Sequence, residues 1–465
     1  MDSFVNVVTA ISDWLWGLPI LTVLVVGSIF MAIRLKFFHF KYIGYIFKDT
    51  LGKMFSKEAK GEGTISPFQA LTSALACAVG AGNIVGVSVA IFSGGPGAVF
   101  WMWFVALLGM ALKYSEVVLA LKYREKNDLG EFVGGPTYYI SKGLNMKWLG
   151  IFFAFSLMLE VLPSTMVQAN SVAAAAQEVF NINPMITGII SLIVVGIVVI
   201  GGIKRIGAFT EKFVPLMSIL YVGGSIIIVL MNISKLPGVI GLIFGSAFTG
   251  TAAIGGFAGA AVSAAIRNGF ARGLYSNEAG LGTAPIAHAT ATTDHPVRQG
   301  LWGIMEVFLD TVVICTATAF SILITGVWQS PNVTSGNNGT MTTMAFTEAF
   351  GQVGGAIVTI SLVFFVISTL IVLIYYGEKQ AEYLFGLKAA KFMKYIYVIS
   401  IYVGAVGGAQ VMWKFLDITL AMILVPNMIA VALLSKEVVE LTNEYFNTKG
   451  KFYLKDIEHK TAKSN

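Results

Sequence analysis

Charge is what this chain has least of. Lys, Arg, Asp and Glu together make only 12% of its 465 residues, against 56% apolar residues and a mean hydropathy of +0.77. A soluble domain of this size needs a polar surface, so the composition excludes one and points to a chain threaded repeatedly through a bilayer. Cysteine is nearly missing too. Cys77 and Cys315 both lie in apolar runs, which excludes a disulfide framework or a cysteine metal cluster and leaves them as packing residues. With four histidines, no His-Glu-x-x-His pair and no nucleophile beside an obvious base, the chain reads as a non-enzyme. Its basic residues are scattered over many loops, which excludes a nucleic-acid surface.

What is abundant is long apolar segments. Windows of about 20 residues give roughly eleven spans, centred near 14–33, 66–92, 97–121, 149–179, 185–203, 213–231, 250–271, 299–325, 353–376, 394–412 and 416–434. Between them Lys and Arg sort sharply: seven in 34–60, five in 122–147, three in 204–212, three in 267–298, four in 379–394 and six after 435. Only Lys235 and Lys414 fall in the other set of loops, and Lys113 sits within a span. The positive-inside rule then places the N-terminus outside and the C-terminus inside. The first span has no basic residue before it and Arg34 and Lys36 after it, so it reads as a retained helix, not a cleaved signal. Sequons at Asn332 and Asn338 fall in the longest outer loop, 329–341, and carry no meaning in a bacterial protein.

The second span is interrupted. From Ser66 to Ser88 the run is long enough to cross a bilayer, yet Gly80, Gly82 and Gly86 with polar Asn83 weaken the helix at mid-depth. Unpaired backbone in hydrocarbon costs several kcal/mol per group, so a bound ligand is expected there. A second glycine-rich interruption, 251–261 with Gly255, Gly256 and Gly259, falls in the sixth of ten spans once the first is set aside. Five is odd, so the two halves must have opposite orientations, the inverted repeat of secondary transporters with discontinuous helices. The chain therefore divides into an extra N-terminal helix with a basic loop (1–63), a first repeat (64–231), a second repeat (232–435) and a cytoplasmic tail (436–465). Small-residue helix packing is the plainer reading of Gly82-x-x-x-Gly86 and Gly255-x-x-x-Gly259, but it leaves Asn83 and the doubled Gly255-Gly256 unexplained.

Breaks of this kind carry chemistry. Free N–H groups near Asn83 or Phe257 suit a carboxylate, and free C=O groups near Ala76 to Val79 suit a small cation. A zwitterion coupled to sodium or a proton fits that pair better than a sugar or a metal. Adjacent Ser368 and Thr369 offer hydroxyl ligands in an otherwise apolar span, although such hydroxyls often bond back to their own helix. Gln168 and Asn170 are polar amides in the fourth span, fit for a pocket or for interhelical hydrogen bonds. Among carboxylates at membrane depth, Glu116 is expected to pair with Lys113 at i,i+3, Asp310 and Glu306 lie one turn apart, and Glu160 stands isolated as a proton-coupling candidate. The polar run 267–285 reads as a cytoplasmic loop that could serve as an inner gate.

Eight stretches across nearly the whole chain, weak singly and specific together, resemble the alanine or glycine:cation symporters of the amino acid–polyamine–organocation superfamily. They are Gly94-Gly-Pro-Gly-Ala-Val-Phe-Trp-Met-Trp, Gly134-Gly-Pro-Thr-Tyr-Tyr, Val167-Gln-Ala-Asn-Ser, Gly201-Gly-Ile-Lys, Ser276-Asn-Glu-Ala-Gly-Leu-Gly-Thr-Ala-Pro, Thr293-Asp-His-Pro, Leu309-Asp-Thr and Tyr375-Tyr-Gly-Glu. The resemblance implies an all-α leucine-transporter-type fold of five-plus-five helices with one extra N-terminal helix. It also implies sodium-driven uptake of a small neutral amino acid through a bacterial or archaeal plasma membrane, with surrounding lipid and no obligate protein partner. Sodium is then a co-transported ligand and no cofactor is needed.

By the same likeness, the substrate site comprises Gly80, Ala81, Gly82, Asn83, Gln168, Gly255, Gly256, Phe257, Gly259 and Leu373. The sodium site comprises Ala76, Val79, Asn83, Ser368 and Thr369. Two residues depart from the family pattern. Ala81 replaces a usual Thr, and Val372-Leu373 replaces a usual Gly-Trp, which widens the side-chain pocket and extends the expected substrates to a somewhat larger neutral amino acid. Proton coupling is the rival to sodium.

Overall fold

The four residues Ser66-Pro67-Phe68-Gln69 are enough to start a helix. In the computed structural model, Ser66 Oγ accepts from the Gln69 N–H and the Gln69 side chain accepts from the Ser66 N–H, both at 3.1 Å, with Pro67 in the first turn. The helix Pro67–Ala78 then stops, because Val79 is extended at ψ 100°. A wide π-type turn, Gly82–Gly86, leads into a second half-helix, Val87–Gly94, and the two halves are bent by 55°. The expected break in the first core span is therefore present where the glycines lie. Residues 2–54, 61–249, 258–335, 337–407 and 410–455 are described.

Among the described residues, seven helices are long and apolar enough to cross a membrane, and the bent pair makes an eighth. Gly97–Lys122, Lys147–Phe180, Gly202–Met231, Pro296–Thr325, Gln352–Phe385, Leu387–Gly407 and Val411–Leu433 match expected spans, while Pro19–Arg34 and Pro184–Val199 are shorter apolar helices. The architecture is all-α apart from one two-residue hairpin, Glu125–Lys126 against Phe132–Val133.

The second expected interruption lies largely outside the described residues, and the structure shows a break further along the same span. Gly255, Gly256 and Phe257 fall outside the described residues, and Gly259 sits in the first turn of a continuous helix, Ala258–Asn277. That helix ends at Glu278, and the chain resumes as a short helix, Ala284–His288. Between them Glu278 (φ +53°), Gly280 (φ +94°) and Gly282 (φ +79°) are left-handed, which a glycine adopts freely and a glutamate does not. Most of the run expected to be a cytoplasmic loop is thus a helix followed by a break.

The two broken helices run in opposite directions. Ile65, just before the first, accepts a hydrogen bond at 2.8 Å from Thr292 N–H, just after the second. This is the local signature of the inverted repeat. Gly97–Lys122 lies at the centre of the bundle, with 89% of its most apolar stretch buried. Gly202–Met231 lies at the edge, where Leu216, Ile219, Ile227 and Leu230 remain exposed. Helices Lys147–Phe180 and Leu387–Gly407 touch backbone to backbone: a Cβ on Gly404 would come within 2.4 Å of the Met166 carbonyl oxygen. Asn170 Nδ2 donates to the Gly404 carbonyl at 3.3 Å across that seam, so its amide ties helices together.

Candidate functional site

At the end of Pro67–Ala78 the carbonyl oxygens of Ala76 and Val79 have no next turn to accept from. Both point at helix Gln352–Phe385, where Thr369 Oγ1 lies 2.9 Å from Ala76 O, 3.4 Å from Val79 O and 3.0 Å from its own Phe365 O. Three carbonyls thus surround one hydroxyl, and the Phe365 carbonyl is a member that sequence reasoning missed. Ser368, expected beside it, turns away: its hydroxyl donates to Phe365 O at 2.7 Å and faces Met217 Sδ at 3.8 Å. Gly80 is a glycine because space is short, since a Cβ there would meet Thr369 Oγ1 at 3.2 Å and Gln168 Nε2 at 3.6 Å.

Asn83, expected at both sites, is tied into the protein by its side chain. Its Oδ1 accepts the Gly80 N–H at 3.0 Å, closing the break on itself, and its Nδ2 donates to Ser276 Oγ at 2.9 Å and Asp310 Oδ1 at 2.6 Å. Ser276 and Thr311 hydroxyls donate to Asp310 Oδ2 at 2.9 and 2.8 Å. Asp310 lies in another π-type stretch, Phe308–Cys315, and is fully buried. One carboxylate therefore pins the first break to the residue next to the second.

Both breaks wall one cavity. Gly80, Gly82, Gln168 and Leu373, expected at the substrate site, and Thr369, expected at the sodium site, line it. Ala81 is buried but is not part of the wall, and Ala76, Val79, Asn83 and Ser368 stand behind it. Sequence reasoning did not assign Cys77, Ser164, Tyr275, Glu278 and Thr283 to this pocket, though all line it, and neither did it place Glu160 there. The signal for Tyr275, Glu278 and Thr283 was the polar run 267–285, which read as a loop. Glu278 is held by Thr283, whose hydroxyl donates to Oε2 at 2.7 Å, and by the Cys77 thiol at 3.5 Å.

Lys113, Glu116 and Glu306, also buried, are paired within the protein. Lys113 pairs with Glu306 at 3.1 Å and not with Glu116. Glu306 also meets His288 Nε2 at 3.0 Å, while Glu116 accepts from Asn427 and from the Gly280 N–H at 3.2 Å. On the far side of Tyr275 lies a wider cavity with Arg267, Arg272, Trp413 and Lys414 in its wall, and Tyr275 lines both cavities. Arg267 and Arg272 therefore belong with the start of the last core helix. Lys122, paired with Glu437 beyond the far end of that helix, marks the opposite end of the bundle, so these arginines are not part of a loop beside it.

Comparisons with known proteins agree with this architecture. A model of the sodium:alanine symporter family matches residues 1–459. The chain is 55% identical over 447 residues to the uncharacterized transporter YflA of Bacillus subtilis, covering 96% of this chain and 94% of that one. It is 42% identical over 448 residues to the sodium/alanine symporter AgcS of Methanococcus maripaludis, covering 95% and 97% of the two chains. To the protein named probable sodium/glutamine symporter GlnT of Bacillus subtilis it is 37% identical over 447 residues, covering 96% and 91%. A crystal structure of MhsT in complex with L-phenylalanine superposes with a TM-score of 0.60 over 80% of this chain and 89% of that one; at 14% identity it speaks for the fold alone. The chain belongs to the sodium:alanine symporter family, multi-pass membrane carriers of amino acids that use sodium as co-transported ion and need no cofactor.

Proposed function

We propose that this protein imports a small or medium-sized neutral amino acid together with sodium across the plasma membrane of a bacterial or archaeal cell, by alternating access. The observation that carries the reading is the convergence of the Ala76, Val79 and Phe365 carbonyls on the Thr369 hydroxyl beside a glycine break. Such oxygens can replace the hydration shell of an alkali cation at mid-membrane. Sodium sits among them, and Ser368 joins by turning its hydroxyl from Phe365. The substrate carboxylate takes the amides of Ala81 and Gly82, because the Gly80 N–H is already held by Asn83. Its ammonium faces Gln168 Oε1, which has no hydrogen-bond partner among the described residues.

Gly255, Gly256, Phe257 and Gly259 keep their expected place at the pocket in this reading, and Tyr275 and Thr283, which line the cavity, join it. The names sodium/alanine and sodium/glutamine of two relatives suggest substrates between these sizes, and Leu373 lines the wall that meets the substrate side chain. The bulk of the Lys and Arg residues, in the loops 34–60 and 122–147 and after 435, place the N-terminus outside and the C-terminus inside. Repeats 64–231 and 232–435 then rock against each other around the fixed site.

Purified full-length protein in proteoliposomes tests this. A sodium gradient should drive saturable accumulation of labelled alanine above the external concentration. Accumulation that follows a pH gradient and ignores sodium would instead establish proton coupling.

A further inference from the structure

Glu160, Ser164 and Gln168 recur every fourth residue along helix Lys147–Phe180, so they share one face, each about 6 Å further along the axis. All three line the central cavity. Gln168 marks the end beside Gly80, where the backbone of a substrate would lie, and Glu160 marks the other end, with Leu373, Leu416 and Leu420 as the apolar walls.

Glu160 differs from every other carboxyl discussed above. Glu116, Glu278, Glu306 and Asp310 each have donors on both oxygens. Glu160 is 2% exposed, yet its Oε2 has no hydrogen-bond partner among the described residues. The cavity wall contains no Lys or Arg to pair with it. A buried acceptor left unmade costs free energy, and packing would be better served by an apolar side chain. What it faces is the substrate cavity.

We propose that Glu160 Oε2 is the acceptor that reads a nitrogen donor at the end of the substrate's side chain, so that the pocket prefers amino acids ending in a primary amide. The proposal rests on the amino-acid reading of the site given above. With the substrate backbone held at the break, an alanine methyl group ends short of Glu160, whereas a side chain of the length of glutamine runs down the stripe toward it. One amide N–H then meets Glu160, in a wall that also contains Ser164 and Thr283. A cationic side chain would also meet Glu160, and competition by lysine separates that reading from this one.

Competition in the full-length, reconstituted protein tests the idea, with labelled alanine uptake under a sodium gradient as the probe. Glutamine should compete about tenfold better than methionine, which matches its length but has no donor. Glu160→Met should raise the KM of glutamine relative to that of alanine by about tenfold, and Glu160→Gln, which keeps an acceptor and the shape, should restore part of that ratio. Methionine competing as well as glutamine, lysine competing better than glutamine, or a ratio unmoved in both variants would overturn the proposal. If no amino acid is taken up under a sodium gradient, the underlying reading of the site falls, and the proposal with it.

Discussion

Thr369 Oγ1 lies 2.9 Å from the carbonyl oxygen of Ala76, joining helix Gln352–Phe385 to the point where Pro67–Ala78 ends. The hydroxyl has one proton, and three carbonyls around it, so only one can receive it at a time. Such an arrangement holds more oxygen lone pairs than donors. A cation resolves that imbalance. Thr369→Val keeps the shape and removes the oxygen, and it should raise the sodium concentration for half-maximal uptake by about tenfold or more, while Thr369→Ser stays near the parent. Sodium titration of alanine uptake in proteoliposomes reads this. An unchanged sodium curve for the valine variant would place the ion elsewhere.

Leu373 stands one turn beyond Thr369 on the same helix and lines the cavity. An indole in its place would fill much of the space beside Gly80 and Gln168. Leu373→Trp should therefore disfavour glutamine-sized substrates relative to alanine by ~1–3 kcal/mol, a factor of about 10–200 in kcat/KM. Parallel uptake of labelled alanine and glutamine measures the ratio, and no change in it would mean that the substrate side chain points away from this helix.

The first break was readable because glycines and an asparagine interrupt an apolar run long enough to span a membrane. The second was not, for a physical reason. Ser276, Asn277 and Glu278 are polar, and without knowledge of depth a polar stretch at mid-membrane looks like a loop at its surface. Gly255 and Gly256 offered the more familiar pattern and drew the prediction there. Lys113 shows the same limit on a smaller scale. Sequence spacing offers only partners on its own helix, so Glu116 at i,i+3 was chosen, whereas the fold brings Glu306 from another helix to 3.1 Å. Thr369 was legible since adjacent hydroxyls in an apolar span are rare, but the Phe365 carbonyl could not be, because every residue has one.

Lys113 and Glu306 are both fully buried, and His288 holds the second oxygen of Glu306 while its own Nδ1 lies 2.8 Å from Gln299 Nε2. Removing one partner from such a pair strands a charge, which costs about 3–5 kcal/mol. Lys113→Met alone should therefore lower the melting temperature of the purified protein in detergent far more than Lys113→Met combined with Glu306→Met. Additive losses in this double-mutant cycle would show that the pair contributes no coupling.

Asp310 offers a sharper separation between holding a site together and being the site. Its two oxygens take three donors, from Asn83, Ser276 and Thr311, and the first two belong to the flanks of the two breaks. Asp310→Asn keeps the shape and one acceptor but turns the other into a donor that faces hydroxyls already pointing inward. At least one of those buried groups loses its partner, at about 1–3 kcal/mol. The breaks should then sit less firmly against each other, so the melting temperature falls and the KM for alanine rises. Sodium dependence should hardly move, staying within about twofold, since the oxygens that converge on Thr369 are untouched. Loss of sodium dependence in Asp310→Asn, with Thr369→Val behaving like the parent, would transfer the cation from the Thr369 carbonyls to the carboxylate that ties the two breaks together.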